Sequence, residues 1–308
     1  MTAMMRRGVL VLTAVVLAAA AGCETDRPAG NGSSEETADH TVVHELWDGR
    51  ISEADIQHAK EVLHIGYGHT SHGSQITDGM SGLVAFANGG NLGASYSQDL
   101  FAWNATGEGG ALHLREGSSY GEGWLELDAG YYPSWTEETR EFLDDPEHGE
   151  YNVIMWSWCG QVSRMSEQDL IDHYLAPMAA FEVEYPEVTF VYMTGHLDGT
   201  GEGGNLHERN EQIREFCAER GGWLFDFADI ESWDPDGTYY LDRSADDGCN
   251  YDGDGDGSRE ANWAREWQEA HTQGAEWYSC GSAHSEALNA NMKAYAVWWL
   301  FCRIAEEL

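Results

Sequence analysis

Basic residues are scarce in this chain. Its 308 residues include only 16 Lys and Arg against 54 Asp and Glu, which gives a formal net charge of -38 at pH 7. So acidic a surface repels the phosphates of nucleic acids and the head groups of anionic membranes. We therefore expect no nucleic-acid partner, and a protein that stays soluble in salty surroundings, where charges are screened.

Long apolar runs are lacking as well, apart from one near the start. Arg6 and Arg7 precede an apolar run over residues 8–21 that is too short to span a bilayer permanently and has the shape of a secretory signal. Small residues just before Cys23 resemble a bacterial lipoprotein signal. Residues 1–22 are therefore predicted to be a lipoprotein-type signal peptide, with Cys23 as the lipidated residue. An ordinary signal peptide is the alternative.

The segment after this signal is polar, acidic and rich in Gly and Ser. Residues 23–40 are predicted to be a flexible tether, and residues 41–308 the folded domain. With either kind of signal the protein is exported. We expect it in the bacterial cell envelope, outside the cytoplasm, held to the membrane only through the lipid anchor, or secreted.

Cysteine is infrequent, with six in the chain. Export permits disulfides. If Cys23 is lipidated, five remain, and an odd number leaves at least one thiol outside any internal bridge. A Cys249–Cys280 bridge is preferred because it would hold a Gly/Asp-rich loop beside the segment of His284, although spacing alone does not determine the pairing.

The chain has no internal repeat, and its apolar segments alternate between strand-like and helix-like patterns. The predicted strands are residues 61–68, 151–158, 188–193 and 223–227. The predicted helices are residues 75–87, 136–143, 167–185, 205–220, 262–271 and 285–307. Residues 88–133 are predicted to be an irregular insertion with one short strand, and residues 232–260 a polar loop. This alternation predicts an α/β fold, a three-layer α/β/α architecture with a mostly parallel central sheet.

Side chains that can carry chemistry follow the predicted strands, where such folds place their functional crevice. After the first strand comes a turn that contains Ser71 and Ser74, and the helix behind it offers backbone N–H groups to an oxyanion. His284 precedes the last helix. A Ser hydroxyl and a His imidazole that meet at one edge of the sheet would form a nucleophile and its base.

Four segments resemble, in their order, the SGNH/GDSL hydrolase superfamily, whose sheet is flavodoxin-like. They are HIGYGHTSHGS (residues 64–74), VIMWSWCGQVS (153–163), MAAFEVEYPEVTFVYMTG (178–195) and SAHSEALNANMKAYAVWW (282–299). The resemblance implies that Ser71 is the nucleophile, with Ser74 as the competitor, and that His284 is the base. It also implies that the side-chain amide of Gln161 binds the oxyanion.

This sequence departs from the family at the catalytic acid. Gly281 stands where the family has Asp, three residues before the His. Three arrangements are open: a Ser/His dyad, a backbone carbonyl that orients His284, or another acid such as Asp226. The expected activity is that of an exported serine esterase that needs no cofactor. Its substrate would be a small-molecule or polysaccharide ester, and carbohydrate deacetylation would fit. The alternative is a non-catalytic surface lipoprotein that binds glycan or peptide.

Two metal sites are also chemically reasonable. The predicted strand ends carry zinc-type ligands, which would make the protein a metal-dependent hydrolase; they are His69, His72, Cys159, His196 and His284. Separately, Asp252, Asp254 and Asp256 have the spacing of a calcium loop, with Glu260 as a further ligand. Trp263 occupies the twelfth position, where an EF-hand needs Glu, so a smaller calcium site is the prediction.

Overall fold

The computed structural model describes residues 36–93, 95–117, 124–126 and 128–308. The predicted signal peptide, the lipidation site Cys23 and most of the predicted tether therefore lie outside the described residues. Among the described residues, none of the helices combines the length and the apolar character that a bilayer crossing requires.

In the described part of the chain, seven strands form the central sheet, and every neighbouring pair is parallel. They are β1 (Thr37–Ala38), β2 (His64–Gly68), β3 (Trp103–Asn104), β4 (Leu112–Gly117), β5 (Val153–Trp156), β6 (Thr189–Met193) and β7 (Leu224–Phe225). The order across the sheet is β1-β7-β6-β5-β2-β4-β3. Without the edge strands β1 and β3, the other five lie in the flavodoxin-like order 2-1-3-4-5. With helices on both faces, the predicted three-layer α/β/α fold is confirmed.

The helices connect these strands and cover the sheet. They are α1 (Val43–Trp47), α2 (Glu53–Val62), α3 (Ser74–Asn88), α4 (Ser134–Asp144), α5 (Glu167–Leu170), α6 (Ala176–Glu184), α7 (Asn205–Arg220), α8 (Phe227–Glu231), α9 (Trp263–Ala270) and α10 (Ala287–Ala305). A π-helical turn joins α5 to α6. A small hairpin of β8 (Asn250–Tyr251) and β9 (Ala261–Asn262) lies outside the main sheet.

Helix α10 is the main packing element beside the sheet. It is buried over most of its surface and packs against α1, α2 and α3. Gly79 of α3 permits a close approach, because a Cβ there would lie 2.1 Å from the carbonyl oxygen of Ala290. Strands β5 and β6 are buried on both faces, which explains why their sequences are nearly continuous apolar runs. This packing fixes the loop before α10 relative to the loop after β2.

The structure differs from the sequence prediction at the start of the domain. Strand β1 lies inside the predicted tether and pairs with β7, so the folded domain begins before residue 41. Helix α2 was not predicted. It begins with a capping box between Ser52 and Asp55. Its last turn includes Glu61, the first residue of the predicted strand 61–68. The described residues of the predicted insertion contain two strands, β3 and β4, rather than one.

The predicted Cys249–Cys280 disulfide is wrong. All five cysteines in the described part of the chain are free thiols. The Sγ of Cys249 lies 3.2 Å from Oγ of Ser285, whereas Cys280 Sγ points to the carbonyl oxygen of Ala287, 3.8 Å away. Each thiol therefore has its own partner. Burial raises the pKa of both thiols to about 12, which keeps them protonated at neutral pH.

Candidate active site

The predicted chemistry-bearing loops meet at the point where the strand order reverses. The loop after β2 and the loop after β5 flank this switch point, the usual position of a site in an open parallel sheet. Gly73 brings the two loops together: a Cβ at this position would lie 2.3 Å from Oγ of Ser157 and 2.4 Å from Cβ of His69. Glycine is therefore required here by close packing, not by its backbone angles.

Ser71 and His284 contact each other at this edge. Ser71 Oγ lies 2.9 Å from Nε2 of His284, although 213 positions separate them in the chain. The His284 backbone has φ 63°, a left-handed conformation that is uncommon for a residue other than glycine. The imidazole is exposed, so a substrate can reach it. An unusual backbone at an exposed His that contacts a Ser hydroxyl is typical of a functional position.

Ser74, the competing serine, has a different role in the fold. It is the first residue of α3, and its hydroxyl donates to the carbonyl oxygen of Ser71 at 2.9 Å and approaches Oδ2 of Asp78 at 3.3 Å. These bonds stabilise the turn that carries Ser71. Of the two serines, Ser71 is the one that contacts His284.

Two further imidazole rings extend from His284 as a stack. The His72 ring lies between the rings of His284 (centroids 4.5 Å apart, 19° between planes) and His196 (3.6 Å, 4°). His72 Nε2 also lies 2.8 Å from Oδ2 of Asp247. Burial raises the pKa of Asp247, but the hydrogen bond from His72 and the charges of the neighbouring histidines outweigh burial and leave this pKa below its usual value. Asp247 is thus an anion beside the stack.

Sequence reasoning missed Asp247 and proposed Asp226 instead. Asp226 accepts hydrogen bonds from Thr194 Oγ1 at 2.9 Å and from Arg214 Nη2 at 2.8 Å, and it caps α8. It is neutralised by Arg214, so the suggestion that it orients His284 is wrong. The sequence held no signal for Asp247, which lies in a polar loop among many other acidic residues.

The position of the family's catalytic acid is closed in this fold. A Cβ at Gly281 would lie 2.6 Å from Oδ2 of Asp78, so the carboxylate of α3 occupies the space of a larger side chain. Among the described residues, Ser71 is also the only hydrogen-bond partner of the His284 ring. No backbone carbonyl orients this ring there. The observed contacts are those of a Ser/His pair, and the Asp247 carboxylate interacts electrostatically with His284.

Gln161 makes two structural hydrogen bonds. Its Oε1 accepts the backbone N–H of Cys159 at 2.9 Å, and its Nε2 donates to Oδ1 of Asp128 at 3.0 Å. Asp128 is fully buried, and burial raises the pKa of its carboxyl to about 6. One amide N–H of Gln161 is therefore committed to Asp128, and its role at an oxyanion stays a prediction.

Backbone groups offer an alternative oxyanion site. Within the described residues, the N–H groups of Ser71, His72 and Gly73 donate no hydrogen bond. They precede the first turn of α3, whose N-terminus attracts negative charge. The hydroxyl of Thr70 is buried with no hydrogen-bond partner in the described part of the chain, as is Nε2 of His196. Unsatisfied polar atoms at the end of a strand are what a polar ligand or water would satisfy.

A buried charged network supports both histidine loops from behind. Lys293 of α10 is fully buried; its Nζ lies 2.6 Å from Oε1 of Glu231 and also contacts the side chain of Gln75. Gln75 Nε2 donates to the carbonyl oxygen of Ala283 at 2.6 Å, next to His284. Glu231 Oε2 accepts the N–H of Leu197 at 2.9 Å, next to His196. One buried ion pair thus holds the backbones on both sides of the stack.

Only some of the five predicted zinc ligands lie close together. Ligand atoms of His72, His196 and Asp247 lie within 4.8 Å of one another. Of the other predicted zinc ligands, Cys159 and His284 are outside this group, and so is His69, whose ring contacts the carboxylate of Glu116. The chemistry of the converging set, two imidazoles and a carboxylate, fits a zinc ion with an open position.

The acidic loop between β8 and β9 also brings carboxylates together. Asp252, Asp254, Asp256 and Glu260 have oxygen atoms within 4.8 Å of one another. These carboxylates accept backbone N–H groups of their own loop, for example the N–H of Gly257 at 2.8 Å from Oδ2 of Asp252. The predicted calcium site is geometrically consistent with this loop, and calcium binding stays a prediction.

Comparisons of the chain with protein-family models, with curated proteins and with solved structures found no match. The resemblance to SGNH/GDSL hydrolases therefore rests on the order of the motifs in the sequence, and the assignment of a function rests on the geometry of the site.

Proposed function

We propose that this protein is an exported serine hydrolase that cleaves ester bonds with Ser71 as nucleophile and His284 as general base. The observation that supports the proposal is the 2.9 Å contact between Ser71 Oγ and His284 Nε2. It joins two residues that the family resemblance selects from distant parts of the chain. Export and attachment through Cys23 are part of the proposal.

The reaction follows from this contact. His284 Nε2 takes the hydroxyl proton while Ser71 Oγ attacks the ester carbonyl carbon, and the backbone N–H groups at the start of α3 stabilise the oxyanion. As the C–O bond breaks, His284 returns the proton to the leaving alcohol. Water, deprotonated by the same imidazole, then attacks the acyl-serine; as the acyl C–O bond breaks, His284 returns the proton to Ser71 Oγ, and the carboxylic acid is released. The Asp247 carboxylate stabilises the positive charge that His284 carries between these steps.

The surface near His196, at the far end of the histidine stack from Ser71, favours an acylated carbohydrate as substrate. A cleft of about 490 Å³ lies along the loop after β5 and is lined by residues that include Gly160, Gln161 and Arg164. Tyr131 and Tyr132 are about half exposed near this edge, and the Tyr132 ring stacks on His173, another lining residue, with centroids 4.5 Å apart. Exposed aromatic rings beside polar groups suit the apolar faces of sugars.

Hydrolysis of p-nitrophenyl acetate and of acetylated xylan by matched serine variants tests this proposal. Ser71→Ala should lower kcat by at least about 1,000-fold, because removal of a nucleophile abolishes acyl transfer. Ser74→Ala should retain most of the activity, because its hydroxyl supports the turn without contacting His284. Ser258→Ala, in an exposed loop, is the matched control. Equal rates for wild type and Ser71→Ala would contradict the proposal.

A metal-dependent hydrolase is the second candidate, supported by the convergence of His72, His196 and Asp247. In that case, dialysis against a chelator would abolish the esterase activity and added zinc would restore it. The Ser71→Ala variant would then retain part of the wild-type activity. If no ester is cleaved with or without zinc, the alternative of a non-catalytic glycan- or peptide-binding lipoprotein is favoured.

A further inference from the structure

A second cavity lies between α1, α9 and α10 and is not used by the proposed reaction. Its volume is about 200 Å³, and none of its lining residues belongs to the Ser71–His284 cluster or to the histidine stack. A volume of this size accommodates a small organic molecule and is too small for a polysaccharide chain. The chemistry of the lining residues indicates which class of small molecule would bind.

Aromatic side chains from three helices form much of its wall: Trp47 of α1, Trp267 of α9 and Tyr295 of α10. Their positions are fixed by other rings. Trp47 packs edge-on to Tyr295 with centroids 6.0 Å apart, and Trp267 stacks on His271 at 3.6 Å. These ring contacts restrict the rotation of the wall's side chains, which lowers the entropic cost of binding.

The charges that line the cavity are negative. Asp236 and Glu276 are lining residues that are exposed to solvent, and the Glu276 carboxylate also accepts the backbone N–H of Thr272 at 2.7 Å. Among the described residues that line the cavity there is no Lys or Arg. Asp236 Oδ2 accepts the indole N–H of Trp267 at 3.1 Å, which fixes this carboxylate beside an aromatic ring. Nδ1 of His271, another lining residue, lies 2.8 Å from the carbonyl oxygen of Trp267. A cation is therefore favoured over an anion in this cavity.

Tyr295 contributes its ring to the wall, whereas its hydroxyl is buried away from solvent and does not face the cavity. Burial raises the pKa of Tyr295 well above its usual value, so this side chain adds no charge to the wall.

We propose that this cavity binds a small organic cation of the alkylammonium type, with its apolar substituents against Trp47 and Trp267 and its charge balanced by Asp236 and Glu276. Aromatic faces attract such cations through their quadrupoles, and alkyl groups on nitrogen suit an apolar wall better than a hydrated metal ion does. The site is separate from the ester-cleaving site and does not depend on it.

Isothermal titration of the purified folded protein with choline tests the proposal, with 3,3-dimethylbutan-1-ol as the matched probe because it has the same shape without the charge. Choline should bind at least about tenfold more tightly than the neutral alcohol. Asp236→Asn, which keeps the size of the side chain, should weaken choline binding by about tenfold and leave the binding of the alcohol unchanged. Trp267→Leu should weaken the binding of both probes.

Asp242→Asn, at an exposed carboxylate outside the cavity, is the control and should not alter choline binding. Ser71→Ala should also bind choline like the wild type, so failure of the esterase proposal would not affect this test. Equal affinity for choline and the neutral alcohol would overturn the proposal. So would the absence of heat with choline at millimolar concentration, or choline binding that is unchanged in Asp236→Asn.

Discussion

The residues that meet at the candidate site differ in how readily the sequence reveals them. The contact between Ser71 and His284 was predictable because a Ser after the first long strand and a His before the last helix match the order of a known family. The position of Asp247 was not predictable, since it follows no motif and is brought to the site only by its 2.8 Å contact with the ring of His72. The different roles of Ser71 and Ser74 needed atomic positions, because both belong to the same turn.

Asp128 is predicted to make stability depend on pH. Burial raises the pKa of Asp128 to about 6, whereas an unfolded chain has an Asp pKa of about 4. Between these values the folded state keeps a proton that the unfolded state has lost, so the free energy of unfolding falls as pH rises from about 4 to 6. The expected fall is on the order of 2–3 kcal/mol.

Urea unfolding at several pH values measures this effect. Asp128→Asn should lose that part of the pH dependence, because its amide does not titrate, whereas Asp242→Asn should keep it. The same decrease between about pH 4 and 6 in Asp128→Asn as in the wild type would contradict this explanation.

At the scale of secondary structure, the long elements were predictable and the short ones were not. Helix α7 was predicted with its observed bounds, because Gly221 ends it in a left-handed conformation. Strands β5 and β6 were recognisable as apolar runs. Strand β1 has two residues, and only its parallel pairing with β7 makes it a strand, so no local pattern identifies it. The network of Lys293 was likewise hidden, because a single Lys within an apolar helix gives no sign of its partner.

Lys293→Met should lower the free energy of unfolding by about 3–5 kcal/mol, because it leaves the carboxylate of Glu231 buried without a cation. Adding Glu231→Gln should recover part of this loss, since no buried charge then remains unpaired. Arg265→Met, which breaks the exposed pair with Glu286, is the control and should cost less than about 1 kcal/mol. Denaturant unfolding checks all three variants, and equal losses for Lys293→Met and Arg265→Met would contradict the role assigned to the buried pair.

For the whole molecule, the dominant property is its negative charge. With a formal net charge of -38, the folded chain holds many carboxylates close together, and their mutual repulsion opposes compaction. The melting temperature should therefore rise as NaCl increases from about 0.01 to 1 M, over which range the screening length falls from about 30 to 3 Å. NaCl and KCl at equal ionic strength should give the same rise. A melting temperature that is constant or falls with salt would contradict this prediction.

The central claim is that Ser71 is activated by His284, and labelling of the folded domain with a fluorophosphonate probe tests it most directly. Because the described sheet begins at Thr37, the protein used should include that residue. Mass spectrometry of the labelled peptide should place the probe on Ser71, and the label should disappear in His284→Ala and persist in Ser74→Ala. Labelling at Ser74, or none in protein shown by circular dichroism to be folded, would contradict the claim.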